Sequence, residues 1–296
     1  LEKANVDQRG AVLLGKYASA DGHADGRIIR IITHAHSDHL IGLRRSIAEL
    51  PLIAATPPTM SIVEELGYDI PLNKRLILDY GVKVRIGDET LRLEPAKHIM
   101  GAAQVVLEDS EGERIVYTGD FKFPGTPIIE ADVLIIEATY GSPRHIRPFK
   151  DRIEDIFVEL VEKLLKINPV QICGYHGKLQ EAMEILSRHG VKCPFIASKK
   201  VYNITKACIK HGLNIPQVYS EEDVESFDLL RSSHIYFTRR IKKIRGYSTV
   251  ILSGWEFKKP VRELGKNTFL VALSDHACLL YTSDAADELD GVDLGG

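Results

Sequence analysis

Cysteine is scarce in this chain: four in 296 residues, at positions 173, 193, 208 and 278, with no C-x-x-C pair among them. That spacing excludes a thiolate zinc knuckle and the disulfide framework of a small secreted fold; reduced thiols in a cytoplasmic protein are expected instead. No stretch approaches the roughly eighteen apolar residues of a membrane-spanning helix, and the opening LEKANVDQRG lacks the apolar core of a signal peptide. Positive charge is not in excess either. A net charge of -3 excludes an all-over basic surface, so any contact with nucleic acid must come from local patches. The first residue is not Met, as expected of a fragment or a rare start codon. Internal repeats and low-complexity tracts are missing. What is present is apolar material, 44% of the residues, in a length that holds one large domain or two.

Up to about residue 145 short apolar strands alternate with turns: AVLLG, RIIRIIT, PLIAAT, TLRLEP, QVVLED, RIVYTG and VLIIEATYG. IGLRRSIAEL and SIVEELG are the main helical candidates there. From residue 147 onward the pattern changes: FKDRIEDIFVELVEKLLKIN has helical period, VQICGY reads as a buried strand, GKLQEAMEILSRHG as a helix, PFIAS as a strand and KKVYNITKACIKHG as a helix. Such alternation predicts a parallel α/β layer. After the basic run TRRIKKIRGY, STVILSGW and NTFLVALSDHA return to strand character.

The chemistry concentrates in IITHAHSDHL, where His34, His36, Asp38 and His39 follow a β-branched strand. At a strand end, positions 34 and 36 can aim two imidazoles one way while Asp38 and His39 turn to a neighbouring point, so one loop can serve two metal ions. His98 in EPAKHIMGAAQ and Asp120 in VYTGDF each follow a strand with a glycine close by. Singly, each is more often a satisfied loop residue than a ligand; in this order after the histidine cluster they become ligand candidates.

Taken together, H-x-H-x-D-H, a single later His and T-G-D resemble the metallo-β-lactamase hydrolases. VLIIEATYGSP is similar to the segment with which the β-CASP nucleases of that group end a buried strand on an acidic residue, here Glu137, before an inserted cap. VQICGYHGKLQEAMEIL, with Gly174, Gly177, Lys178 and Gln180, resembles the first strand, turn and helix of the cap, and SGW followed by ALSDHA resembles the return to the catalytic domain. The similarity covers residues 11 to 277 and is best among the short ligase-associated DNA exonucleases and archaeal RNA-processing exonucleases.

The resemblance implies an α/β fold: a metallo-β-lactamase αββα sandwich with an inserted α/β β-CASP cap, truncated at its C-terminus. It divides the chain into a first part of the catalytic domain at 1–145, a cap at 146–248 and an incomplete return at 249–277. It implies two zinc ions, the first held by His34, His36 and His98, the second by Asp38 and His39, with Asp120 bridging. His276 becomes the proton donor to the leaving group and Glu137 its orienting partner, with Asp38 beside them as the third catalytic candidate. The implied activity is hydrolysis of phosphodiester bonds in single-stranded DNA or RNA, with DNA repair or RNA processing as its setting, a homodimer as the assembly to look for, and no membrane.

Substrate handling is read from the residues. Gly177 and Lys178 at a helix start suit a phosphate cradle or a plain strand-to-helix turn. Arg239, Arg240, Lys242 and Lys243, between Tyr236, Phe237 and Tyr247, suit either a single-strand track with stacking platforms or a solvated face. Lys122 and Arg144 lie beside motif residues, and Trp255 either lines the cleft or packs. Two other functions stay open: a glyoxalase- or lactonase-like hydrolase of a small substrate, which needs no cap, and a non-catalytic scaffold, which needs no intact metal motif. Finally, CLLYTSDAADE and GVDLGG read as the translation of a transposon-style sequencing adapter, so residues 278–296 are expected to be read-through. On that expectation the last histidine of the second metal site is missing, and Cys278 is no substitute for it.

Overall fold

The computed structural model describes residues 3–223, 233–274 and 276. Three sheets carry the chain. The first is ordered β1 (Ala4–Val6), β2 (Val12–Leu14), β3 (Ala18–Ala20), β4 (Ile29–Ile31), β5 (Leu52–Ala55) and β6 (Arg75–Ile77). β1 to β3 form an antiparallel meander, and β3 to β6 run parallel, with α1 (Leu43–Glu49) carrying the crossover from β4 to β5 and α2 (Pro57–Glu65) that from β5 to β6. Thr56 caps α2 by accepting from the Thr59 N–H, and Pro57 opens the helix where its missing N–H costs nothing.

The second sheet is ordered β11 (Val133–Ile135), β10 (Arg114–Tyr117), β9 (Ala103–Glu108), β8 (Glu89–Pro95) and β7 (Val84–Ile86). Only β10 and β11 pair in parallel. β8 buries Glu89, Leu91 and Leu93 in alternation, and this face meets Val12, Leu14, Ile29 and Ile31 of the first sheet in one core. The α1 and α2 side of the first sheet closes a second core around Leu43, Ile53, Met60 and Val63.

Helix α3 (Ile153–Leu165) introduces the third layer, with Ile153, Phe157, Val161 and Leu164 buried on one stripe and Glu154 and Asp155 in its first turn. The third sheet is ordered β14 (Val218–Ser220), β13 (Phe195–Ala197), β15 (Ile235–Thr238), β12 (Val170–Cys173), β16 (Ser248–Leu252), β18 (Thr268–Val271) and β17 (Val261–Gly265); only β17 is antiparallel. Helices α4 (Lys178–Arg188) and α5 (Lys199–Lys210) supply crossovers. Residues 248–252 and 268–271, beyond the boundary expected at 249, pair into this sheet: Thr249, Val250 and Leu252 are buried apolar or hydroxyl positions that fit a central parallel strand beside Val170–Cys173. The chain leaves the sheet only at Ala272, four residues before His276.

The third layer is joined to the first through α5, whose Ile204 and Cys208 enter the core around α2. Among the described residues no helix is long and apolar enough to cross a membrane. The expected tail at 278–296 lies outside the described residues, as do Asp275 and Ala277.

Candidate metal centre

The strand β4 ends at Ile31, and the loop after it brings His34 and His36 toward the loops that follow β8 and β10. His34, His36, His98 and Asp120 offer ligand atoms that all lie within 4.8 Å of one another. His36 Nδ1 is 3.1 Å from His34 Nε2 and 3.0 Å from His98 Nε2, and Asp120 Oδ2 stands 3.5 Å from His34 Nε2 and 3.6 Å from His98 Nε2. Asp120 Oδ2 is also 3.3 Å from His39 Nε2, which in turn is 3.7 Å from Asp38 Oδ2. Asp38 is the exposed member, with 72% of its side chain open. A third group, Asp120, Glu137 and His276, shares the same carboxylate: His276 Nδ1 lies 3.8 Å from Asp120 Oδ2 and 3.0 Å from Glu137 Oε2.

Whether this set fits a metal is decided by where the ring protons sit. Thr33 Oγ1 donates to Asp21 Oδ2 at 2.6 Å, so at 3.1 Å it accepts from His34 Nδ1. His36 Nε2 donates to the His176 carbonyl at 3.2 Å, and His39 Nδ1 donates to Asp21 Oδ2 at 2.8 Å. His34 and His36 therefore each spend one proton outward and present a lone pair inward, and His39 would do the same once a metal takes the place of its Nε2 proton. Lone pairs about 3 Å apart repel unless a cation lies between them, and three imidazoles with one or two carboxylates are a set that borderline metals such as zinc prefer. The donors fit.

The electrostatics agree. Burial and the neighbouring imidazoles hold His34 far below the ordinary histidine range, hence neutral. Burial opposes charge on His39 as well, yet Asp21 and Asp120 carry it up to about 11. Asp120 would be raised by its burial, but the hydrogen bond from His39 and the charges around it bring it down to about 2. The pocket draws positive charge.

Several supporting residues carry no motif signal. Asp21 is 6% exposed and accepts from Thr33 N, Thr33 Oγ1, His39 Nδ1 and Tyr117 OH. Its φ of 56° is left-handed, a conformation held by those four bonds, and the D-G that follows reads as nothing more than a turn. Arg30, fully buried, donates to the carbonyls of His39 and Ile41 and to Ser46 Oγ, which fixes the far side of the ligand loop. His176 donates from Nε2 to the Ala35 carbonyl at 2.7 Å, and burial lowers its pKa to about 4. Tyr140 packs its ring 5.4 Å from that of His276.

Glu137 accepts from the Phe121 N–H as well as from His276, so its carboxylate is fixed from two sides. Gly177, the phosphate-cradle or plain-turn candidate, closes a turn here. Its N–H is already donated to Gln180 Oε1 at 2.7 Å, closing the first turn of α4. The glycine is needed for space: at φ 85° an added Cβ would stand 2.2 Å from Ile99 Cγ2 and 3.4 Å from His36 Nε2. Lys178 opens α4, with its Nζ beside Gly254. Lys122 is held by Glu181 at 2.6 Å.

Arg239, Arg240 and Lys242 lie on the loop after β15 and, with Lys199, Lys200 and Tyr175, line a cavity of about 790 Å³ at the carboxyl ends of the parallel strands. Lys243 is exposed beside it. Glu221 is the one acidic residue of this lining.

A double-layered sheet with a histidine and aspartate centre at its strand ends defines a metal-dependent hydrolase. The chain belongs to the β-lactamase superfamily, whose family model, described as Beta-lactamase superfamily domain, matches residues 26–193. It is 48% identical over 138 residues to an uncharacterised protein in the lig 3' region of Acidianus ambivalens, covering 46% of this chain and 99% of that one. It is 26% identical over 264 residues to a probable DNA ligase of Opitutus terrae, covering 83% of this chain and 24% of the ligase. With the Probable RNase MJ4 of Methanocaldococcus jannaschii the identity is 29% over 167 residues, covering 52% of this chain and 37% of that protein. The chain thus spans only a minor part of the latter two relatives.

Proposed function

We propose that this chain is a zinc-dependent phosphodiesterase acting on single-stranded nucleic acid, with the third sheet and its helices as a cap over the strand. The observation that carries the reading is one carboxylate, Asp120, set between a three-histidine cluster and the His276–Glu137 pair. His34, His36, His98 and Asp120 would hold the first ion; Asp38, His39 and Asp120 would hold a second, less tightly, with fewer imidazoles and an exposed Asp38. When bound, zinc supplies Lewis acidity that activates water and neutralises charge on the phosphodiester.

The protein's own part is positional. Glu137 accepts a hydrogen bond from His276 Nδ1–H, which orients the ring, favours its charged form and leaves Nε2 as the atom that gives a proton to the departing oxygen. Lys178 at the start of α4 and Arg239, Arg240, Lys242 and Lys243 along the cavity edge would hold backbone phosphates, a concentration of positive charge within a chain of net charge -3. The names of the DNA ligase and RNase relatives support a nucleic-acid substrate without choosing between DNA and RNA.

Elemental analysis of zinc followed by incubation with end-labelled single-stranded DNA and RNA tests the reading. One tight and one weaker zinc with cleavage of at least one strand type is the expected result. A protein that carries two bound zincs and cuts neither strand sinks it.

A further inference from the structure

The chain has a single tryptophan, and it is not in the core: Trp255 is 66% exposed. Tyr140, His145 and Phe257 surround its inner side at ring-centroid distances of 5.5, 6.0 and 6.1 Å, each crossing it at 80 to 89°. Among the described residues no ring lies parallel on the indole. The support is rigid: Tyr140, 1% exposed, donates to the Gly254 carbonyl at 2.6 Å, Arg147 donates to the same carbonyl and to that of Glu256, and the Arg147 guanidinium lies 4.5 Å from the rings of both Tyr140 and Phe257. The same Tyr140 ring touches His276 at 5.4 Å. The indole is therefore held one ring away from the proposed proton donor. Lys178 Nζ sits 3.4 Å from where a Gly254 side chain would begin, and Lys258 and Lys259 are exposed a few residues on.

We infer that Trp255 is a stacking platform for one unpaired nucleobase of the strand being cut, with Lys178 on the adjoining phosphate. The inference rests on the nucleic-acid reading above and sharpens it. A large, preorganised, half-open aromatic is costly to leave in water, and beside lysines its complement is a flat ring joined to an anion. Base stacking on an aromatic side chain contributes about 1–3 kcal/mol per base and is blind to base identity, whereas a paired base offers no free face. The platform thus selects single strands without selecting sequence.

Because Trp255 is the only tryptophan, its emission reports the contact directly. The zinc-loaded chain is titrated with a fluorescein-labelled oligothymidylate decamer, the same decamer made of abasic sugars, and a blunt duplex, with binding read by anisotropy and the strands checked for intactness on a gel. The base-bearing single strand should quench the tryptophan strongly, and the abasic strand and the duplex should quench it little. Trp255→Ala should weaken binding of the thymidylate strand about five- to a hundredfold, and Trp255→Phe should recover most of that loss. Equal quenching by the abasic strand, or unchanged affinity in Trp255→Ala, overturns the platform while leaving the nuclease reading intact. Failure of the parent chain to bind any strand overturns both.

Discussion

Replacing Asp21 by Asn separates charge from shape at a residue that touches no proposed metal. Asn has the same size and tolerates the left-handed backbone that Asp21 adopts at φ 56°, so the change does not act through the main chain. Oδ2 accepts from Thr33 Oγ1, His39 Nδ1 and Tyr117 OH at 2.6, 2.8 and 3.1 Å, while Oδ1 accepts from Thr33 N at 2.8 Å. If the amide keeps its oxygen at the Oδ2 position, its NH2 faces the Thr33 N–H; if it flips, three donors face it. At least one buried donor is left unmet, at about 1–3 kcal/mol, and bonds that were charge-assisted become neutral, which brings the expected loss to about 2–4 kcal/mol. Loss of the acceptor at His39 Nδ1 and of the Thr33 relay to His34 also frees both rings to turn or to change tautomer, and such outer contacts are worth about ten- to a hundredfold in metal affinity. Guanidinium unfolding of the metal-free protein measures the first effect, and zinc competition against a chromogenic chelator measures the second. A variant within about 0.5 kcal/mol and twofold of the parent on the two assays would falsify the assignment of Asp21 as the residue that orients these rings.

Other substitutions read different parts of the centre. His36→Ala removes the ring that stands between His34 and His98, so zinc content measured by elemental analysis should fall and cleavage of every substrate should cease. His276→Ala should leave zinc content unchanged and lower the cleavage rate about a hundredfold or more, and normal turnover would refute its role. Gly177→Ala drives a methyl into Ile99 at a positive φ, so a thermal melt should show a loss of about 1–3 kcal/mol; an unchanged melt would mean that the turn of α4 can withdraw from His36. The Cys173 and Cys208 thiols are pushed up to about 12 by burial, from an ordinary value of 9.0. The folded state favours their protonated form, so their contribution to stability is complete below about pH 9 and is lost as the pH rises toward 12. Unfolding midpoints measured from pH 8 to 11 should decline across that window, and thiol-specific reagents should be slow on the native protein at pH 8.

The strands and helices that depend on local pattern are legible in the sequence. α3, α4 and α5 fall where the apolar period places them, and β12 is the buried four-residue run that VQIC suggests. The histidine cluster is legible because its ligands crowd into one loop. Asp21 is not: its partners Thr33, His39 and Tyr117 are distant in sequence, and a D-G pair reads only as a turn. The sheet that residues 248–252 join is not legible either, for a related reason. A strand such as STVIL fits any buried sheet, and only pairing with Val170–Cys173 decides which one.

The same long-range logic ties the third layer to the geometry of the histidine cluster. His176 lies in the turn after β12, yet its Nε2 holds the carbonyl of Ala35 between His34 and His36, and its own carbonyl receives the His36 proton. That exchange passes between two layers whose main other link is the packing of α5 on α2. The tautomer of His36, and with it the lone pair that faces His34 and His98, therefore depends on the docking of the third layer. Gly177 is the residue that permits the approach, since any side chain there would meet Ile99 first. The histidine loop and the third layer are thus fixed by the same turn, so a change that lifts the layer should disturb the ligand geometry of His36 first.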